Sequence, residues 1–254
     1  STANLVGLSS VQLRALKTTQ LNALSTTQLA SLTTTTLNQL APTQWTGLRG
    51  AQLSALSSAT MASLSSLQVG SLTTVQIADL SSTALGNISS SALASMSTQL
   101  IAALTTLQIV SLSTADFQVL TTRQIAALET RDLAVLSSNN IQALSTSQLK
   151  ALSSQQIKAL SADNLVGLTT ELLASMNSSQ LRALTSSQVA GLNTLQVSSL
   201  STGALKNLLT SQIAALETRD VVTLSTVQLG ALSNLQIQAL SSSQLNALTS
   251  NQVP

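Results

Sequence analysis

Every position divisible by eight, from Leu8 to Leu248, is apolar, and a second apolar position precedes each by three residues, from Leu5 and Leu13 onward to Val253. Of the 31 positions in the first row 28 are Leu, and Ile88, Met96 and Met176 replace it with side chains of similar volume. The second row is broken in type only by Trp45, Met61 and Phe117, and no insertion or deletion disturbs the register. Numbered from the residue after the Leu row, the octad reads S/T-S/T-x-Q-L/I/V-x-A/G/S-L, as in Ser25-Thr26-Thr27-Gln28-Leu29-Ala30-Ser31-Leu32. About 32 copies make residues 1–254 a single uninterrupted repeat array.

This period suits neither regular structure carried through. A continuous α-helix turns ~100° per residue, so successive octads would be rotated by ~80° and no face would stay apolar. In a continuous strand the fifth and eighth positions point to opposite faces. The chain must bend once per octad, and the bend is written as a helix start. Ser or Thr followed three residues later by Gln is a capping box, in which hydroxyl and amide satisfy orphan N–H groups. Gln fills the fourth position in 19 of 32 octads, and at Ala41-Pro42-Thr43-Gln44 the proline falls on the first helical position, where its missing N–H costs little.

Each octad thus reads as a helix of about one and a half turns with apolar residues at i and i+3, followed by a sharp reversal. Two apolar side chains do not offset the ordering of eight residues, so the octads must stack. The seventh position is Ala, Gly or Ser in 24 of 31 copies, which marks it as the place where neighbouring backbones approach. The predicted fold is all-α, a solenoid of very short helices, one per repeat. A β-solenoid is the alternative, since Thr, Val and Ile favour strands. Against it stand only nine Gly, too few for one per octad, and an abundance of Leu, Ala and Gln. One feature has two readings: the second position is Ser or Thr in 28 of 32 octads, stricter than the cap position, which tolerates Lys17, Arg49, Glu129, Leu209 and Glu217. Either the cap lies one residue later or these hydroxyls bond carbonyls of the next coil. The number of octads per coil and its handedness stay open.

Composition narrows the chemistry. Ser and Thr supply 76 residues and Leu 51, whereas charged residues make up 7% and His, Cys and Tyr are absent. The surface must be hydroxyls and amides. Without His or Cys there is no imidazole base, Cys–His dyad, disulfide or ordinary zinc or iron–sulfur site, and no Ser has a base beside it beyond scattered Lys. The reading is a protein that is not an enzyme, with no catalytic, metal or cofactor-binding residue and no small-molecule substrate. A net charge of +2 from ten dispersed basic and eight acidic residues gives no basic patch for nucleic acid. No apolar run approaches the ~20 residues of a membrane span. Ser1-Thr2-Ala3-Asn4 has no basic leader and no initiator Met, as in a processed product or an excised segment.

The exceptions to the pattern resolve into structure. Glu129-Thr130-Arg131-Asp132 and Glu217-Thr218-Arg219-Asp220 are the clustered charges, but Glu takes the cap position and Asp the capping-box position, where a helix N-terminus favours negative charge. Trp45 sits in register beside Gly47 and reads as a larger core residue. Arg14, Lys150, Lys158, Arg182 and Lys206 share one octad position as a sparse solvated stripe, and the acceptor patterns at Asn87 and Asn177 are expected by chance in so Ser/Thr-rich a chain. Block echoes, such as Gln124 to Asp132 repeated at Gln212 to Asp220, record duplication.

The array resembles long, low-complexity bacterial surface and secreted proteins with tandem octads of the form L-S-T-x-Q-I-x-A, here for instance Leu144-Ser145-Thr146-Ser147-Gln148-Leu149-Lys150-Ala151, over the whole chain. The resemblance implies an extracellular or cell-surface protein with a spacer-like or fibre-forming role. The expected function is a structural repeat protein whose copies self-associate head to tail into a filament, sheath or stalk. The alternatives are a rigid spacer or binding module of a larger adhesin, and a hydroxyl array that binds ice or glycans.

Overall fold

A computed structural model describes Leu5 and residues 7–252. The readings of Ser1-Thr2-Ala3-Asn4 as leaderless and of Val253 as the last member of its apolar row fall outside the described residues. Thirty helices of four to six residues run from Ser10–Arg14 to Ser242–Asn246, one per octad, and no strand occurs among the described residues. The fold is the all-α solenoid of short helices that the octad predicts.

Each octad folds alike. The first position is the helix cap, in extended conformation: at Ser25 the hydroxyl accepts from the Gln28 N–H at 3.1 Å and the Gln28 Oε1 accepts from the Ser25 N–H at 2.8 Å. Pro42 is the first residue of its helix, as its missing N–H allows. The helix starts at position two and ends at position five, six or seven, and the Leu of position eight then turns extended, as at Leu80 with φ −63° and ψ 139°. Two extended residues, the Leu and the next cap, therefore make the whole reversal. Among the described residues none has positive φ, so the turn has no need of glycine, and nine glycines suffice for some 32 octads.

The chain divides into two compact units, Ser1–Leu128 and Glu129–Pro254, and the same packing recurs inside each. Each helix packs against the helix three octads away, as Thr18–Asn22 does on Pro42–Trp45 in the first unit and Ser154–Ala159 on Ser178–Ala183 in the second. Hydrogen bonds from the Gln side chains reach the fourth octad back, at separations of 28 and 31 residues. An octad therefore straddles two below it, and within each unit a coil takes about 28 residues, roughly three and a half octads. The fifth-position row forms the centre of the core, with Leu53, Phe117, Ile157 and Val197 all fully buried, and the eighth-position Leu row flanks it.

The contact between coils is close where small residues were expected. A Cβ added to Gly47 would lie 2.6 Å from the Thr18 Cβ, and one added to Gly167 would fall onto the Ser138 carbonyl oxygen. Both contacts join position seven of one octad to position two of the octad three before it. The relation is reciprocal: where position seven carries Asp79, the facing position two is Gly50. This settles the strictness of position two. The cap is position one. Position two must be small, and its hydroxyl reaches the next coil, as Thr226 does to the Asn251 carbonyl at 2.9 Å and Ser154 to the Ser179 carbonyl at 3.3 Å.

Two outcomes follow for stability. Gly167→Ala should lower it by about 1–3 kcal/mol, because the new methyl meets main chain that cannot yield. Gln188→Ala removes a bond to its own cap and two to the preceding coil, leaving the partners buried, and should cost about 2–4 kcal/mol in local stability. Hydrogen exchange at Leu160 and Thr185 to Val189, compared with the parent chain, measures both the size and the locality of the loss.

Candidate functional site

The buried polar side chains are the place to look for chemistry, and nearly all of them stand at octad position four. There the Gln amide uses both ends. In Gln212 the Oε1 accepts from the Leu209 N–H at 2.6 Å, while Nε2 donates to the Leu181 carbonyl at 2.8 Å and the Leu184 carbonyl at 2.6 Å. One side chain closes the N-terminus of its own helix and the C-terminus of a helix in the preceding coil. Gln52, Gln108, Gln180 and Gln236 repeat the set. The capping-box pattern accounts for the first half alone. The signal for the second is that position four never carries Glu, which would close a capping box equally well but has no donor to give.

Where position four is acidic the environments differ. Asp116 is satisfied: its Oδ2 accepts from the Ser113 N–H at 2.9 Å and hydroxyl at 2.7 Å, and its Oδ1 from the Ser90 hydroxyl of another coil at 2.8 Å. Asp132 and Asp220 are fully buried but follow a Glu instead of a Ser, so no cap hydroxyl serves them. Asp132 accepts the Glu129 N–H at 3.1 Å and keeps one oxygen without a partner, while neither oxygen of Asp220 has one. Burial pushes both carboxyls above the ordinary carboxylate value; for Asp132 the Glu129 N–H and Arg131 offset part of that rise, and for Asp220 Arg219 and the nearby Glu217 N–H do. These arginines are mostly exposed and pair at 2.8 Å with Glu129 and Glu217, staying 3.8 and 3.9 Å from the aspartates. The helix-start reading of the two clusters thus holds in position; the octad pattern alone does not show that the aspartates lose both water and donors.

The remaining irregular residues are absorbed by the packing. Trp45 is fully buried in the fifth-position row, and its main-chain carbonyl accepts the Gln76 amide at 2.7 Å. Arg14 and Arg182 donate to the Gln39 and Asn207 carbonyls, the latter in the last turn of a helix, where a cation is favoured; Lys150, Lys158 and Lys206 stand in the last turns of their own helices. Asn177 caps a helix through its Oδ1, and the Asn87 amide donates to Ser58. Position three is the outward one: Val11, Leu67, Leu107 and Leu195 there are all about three-quarters or more than two-thirds exposed. Among the described residues no three acidic side chains converge as metal ligands, and no helix is long and apolar enough to cross a membrane. An apolar hollow of about 470 Å³ lies between Leu229, Ile237, Leu245 and Leu248.

A search of curated proteins found no match to the chain. The ALTTAQ repeat matches residues 1–41, 101–130, 125–162 and 221–254, together just over half of the sequence. A tandem repeat of that type is what the octads build, and the chain belongs to the ALTTAQ repeat family.

Proposed function

We propose that the chain is a structural element of the cell surface or extracellular space, not an enzyme, whose copies stack end to end into a filament, sheath or stalk. What supports this reading is that one coil joins the next through matched amide donors and carbonyl acceptors, which two copies can supply as well as one. Gln12 and Gln20 cap their own helices through Oε1, accepting from the Ser9 and Lys17 N–H groups at 2.9 and 2.8 Å. Both residues are exposed, and their Nε2 groups donate to no acceptor among the described residues. Around Leu240 and Leu248 the situation is inverted: neither carbonyl receives an amide among the described residues, and the apolar hollow between Leu229, Ile237, Leu245 and Leu248 is open. Within each unit, bonds such as those of Gln52 and Gln236 join surfaces of these two kinds, so donors and acceptors match in kind and spacing.

The same surfaces accept either the next octads of one polypeptide or the first coil of another copy. The first case is the rigid-spacer reading of a larger adhesin, and the second is the filament, which we adopt because low charge density opposes it little. A hydroxyl array for ice or glycans finds less support. Position-one hydroxyls serve as caps, several position-two hydroxyls face the next coil, and the outward position three mixes Thr with Leu, Val, Arg and Asn.

Sedimentation velocity over a concentration series, with electron microscopy of the same samples, should show elongation of the purified chain. The double variant Gln12→Ala, Gln20→Ala should associate at least about tenfold more weakly, having lost four amide bonds of about 0.5–1.5 kcal/mol each. Particles of one length at every concentration would refute the end-to-end reading.

A further inference from the structure

Asn164 shows how a short side chain at position four serves both ends, and at Asp220 no cap hydroxyl is at hand to satisfy a carboxylate instead. Asn164, whose side chain has the length and shape of Asp, accepts the Ser161 N–H through Oδ1 and donates through Nδ2 to the Leu136 carbonyl, 28 residues back. The same step from Asp220 leads to the Leu192 carbonyl, which receives no donor, inside the same compact unit. An ionised carboxylate has acceptors only and would set a negative oxygen toward a carbonyl oxygen. A carboxylic acid has one acceptor and one donor, as the amide has. Both Asp220 oxygens are buried and lack partners, so the site is one donor short.

We propose that Asp220 is a proton-operated joint of the solenoid: as a neutral acid it donates its O–H to the Leu192 carbonyl and closes the coil, and release of that proton to water loosens the helix Thr218–Val221 from its neighbours. The inference is independent of end-to-end assembly. The helices packed on Thr218–Val221 are Thr194–Ser198 and Ser242–Asn246, and neither carries a titratable residue. The charges near the carboxyl are Arg219 and Glu217 from its own octad, paired with each other at 2.8 Å at the surface. The sequence twin Asp132 sits in the same octad setting beside Arg131 and Glu129, with Lys158 on the helix packed against its own.

The sign follows from the raised pKa of the folded state. The contribution of Asp220 is complete below the ordinary value of 3.8 and is lost as pH rises through the raised value. Between the two, the opening constant of the Thr218–Val221 segment should grow by up to about tenfold per pH unit. Carbon-detected NMR titration of the Asp carboxyls on the full chain reads the site directly, and hydrogen exchange at Asp220 to Leu224, corrected for intrinsic rates, reads the joint. The expected result is an Asp220 midpoint above 3.8 and protection that rises on acidification. Asp220→Asn should be as protected at neutral pH as the parent chain is in acid, with no pH dependence. Asp220→Ala should also lose the pH dependence but stay poorly protected. A midpoint at or below 3.8, or the same pH dependence in the Asn and Ala variants, would overturn the proposal.

Discussion

A single side-chain amide with two opposite hydrogen-bonding ends is the constraint on which this fold depends. A helix of five residues leaves almost all its N–H and C=O groups without internal partners, so an array of such helices is mostly helix ends. The Gln of position four answers both kinds of end at once. Its oxygen takes the N–H of its own cap, and its nitrogen serves the carbonyls of a helix a coil earlier, as Gln188 does for the Ile157 and Leu160 carbonyls at the C-terminal end of Ser154–Ala159. The hydrophobic rows supply the driving force, but they are nonspecific along the axis. The amide fixes which octad stands above which.

From that bond the other features follow. A reach of 28 and 31 residues, together with helix contacts at the third octad, sets the coil at roughly three and a half octads. At that spacing position seven meets position two of another octad almost backbone to backbone, and the pair must stay small together, as Gly47 with Thr18 and Gly50 with Asp79 show. The surface left over is polar and nearly uncharged because the few charged groups are drawn to carbonyl-rich helix ends, as Arg14 and Arg182 are, or to one another. Departures from Gln at position four change the bonding of the coil itself.

The local half of this arrangement is legible in the octad. Ser25 and Gln28 announce a helix start, Leu29 and Leu32 the buried pair, Pro42 a first turn and Gly167 a close approach, and each is found in that role. The long-range half is not written in any one octad. Gln28 looks satisfied by its own cap, so nothing local calls for a second partner; only the absence of Glu across all copies of position four betrays the need for a donor. The burial of Asp132 and Asp220 was hidden for the same reason. A helix start favours an acid at this position, and the loss of its water is decided by a coil about 28 residues away.

The most direct test of the double-ended amide is an exchange of amide for carboxylate at an internal position. Gln196 accepts from the Asn193 N–H at 2.9 Å and donates to the Leu165 and Leu168 carbonyls at 2.9 and 2.6 Å. Gln196→Glu keeps the length, the packing and the cap acceptor, and removes only the donor. Equilibrium denaturation and local hydrogen exchange at neutral and acid pH should find this variant destabilised by at least about 2 kcal/mol at neutral pH, with much of the loss recovered once the carboxyl is protonated. A Glu variant as stable as the parent chain at neutral pH would show that the capping box alone suffices and would contradict the account.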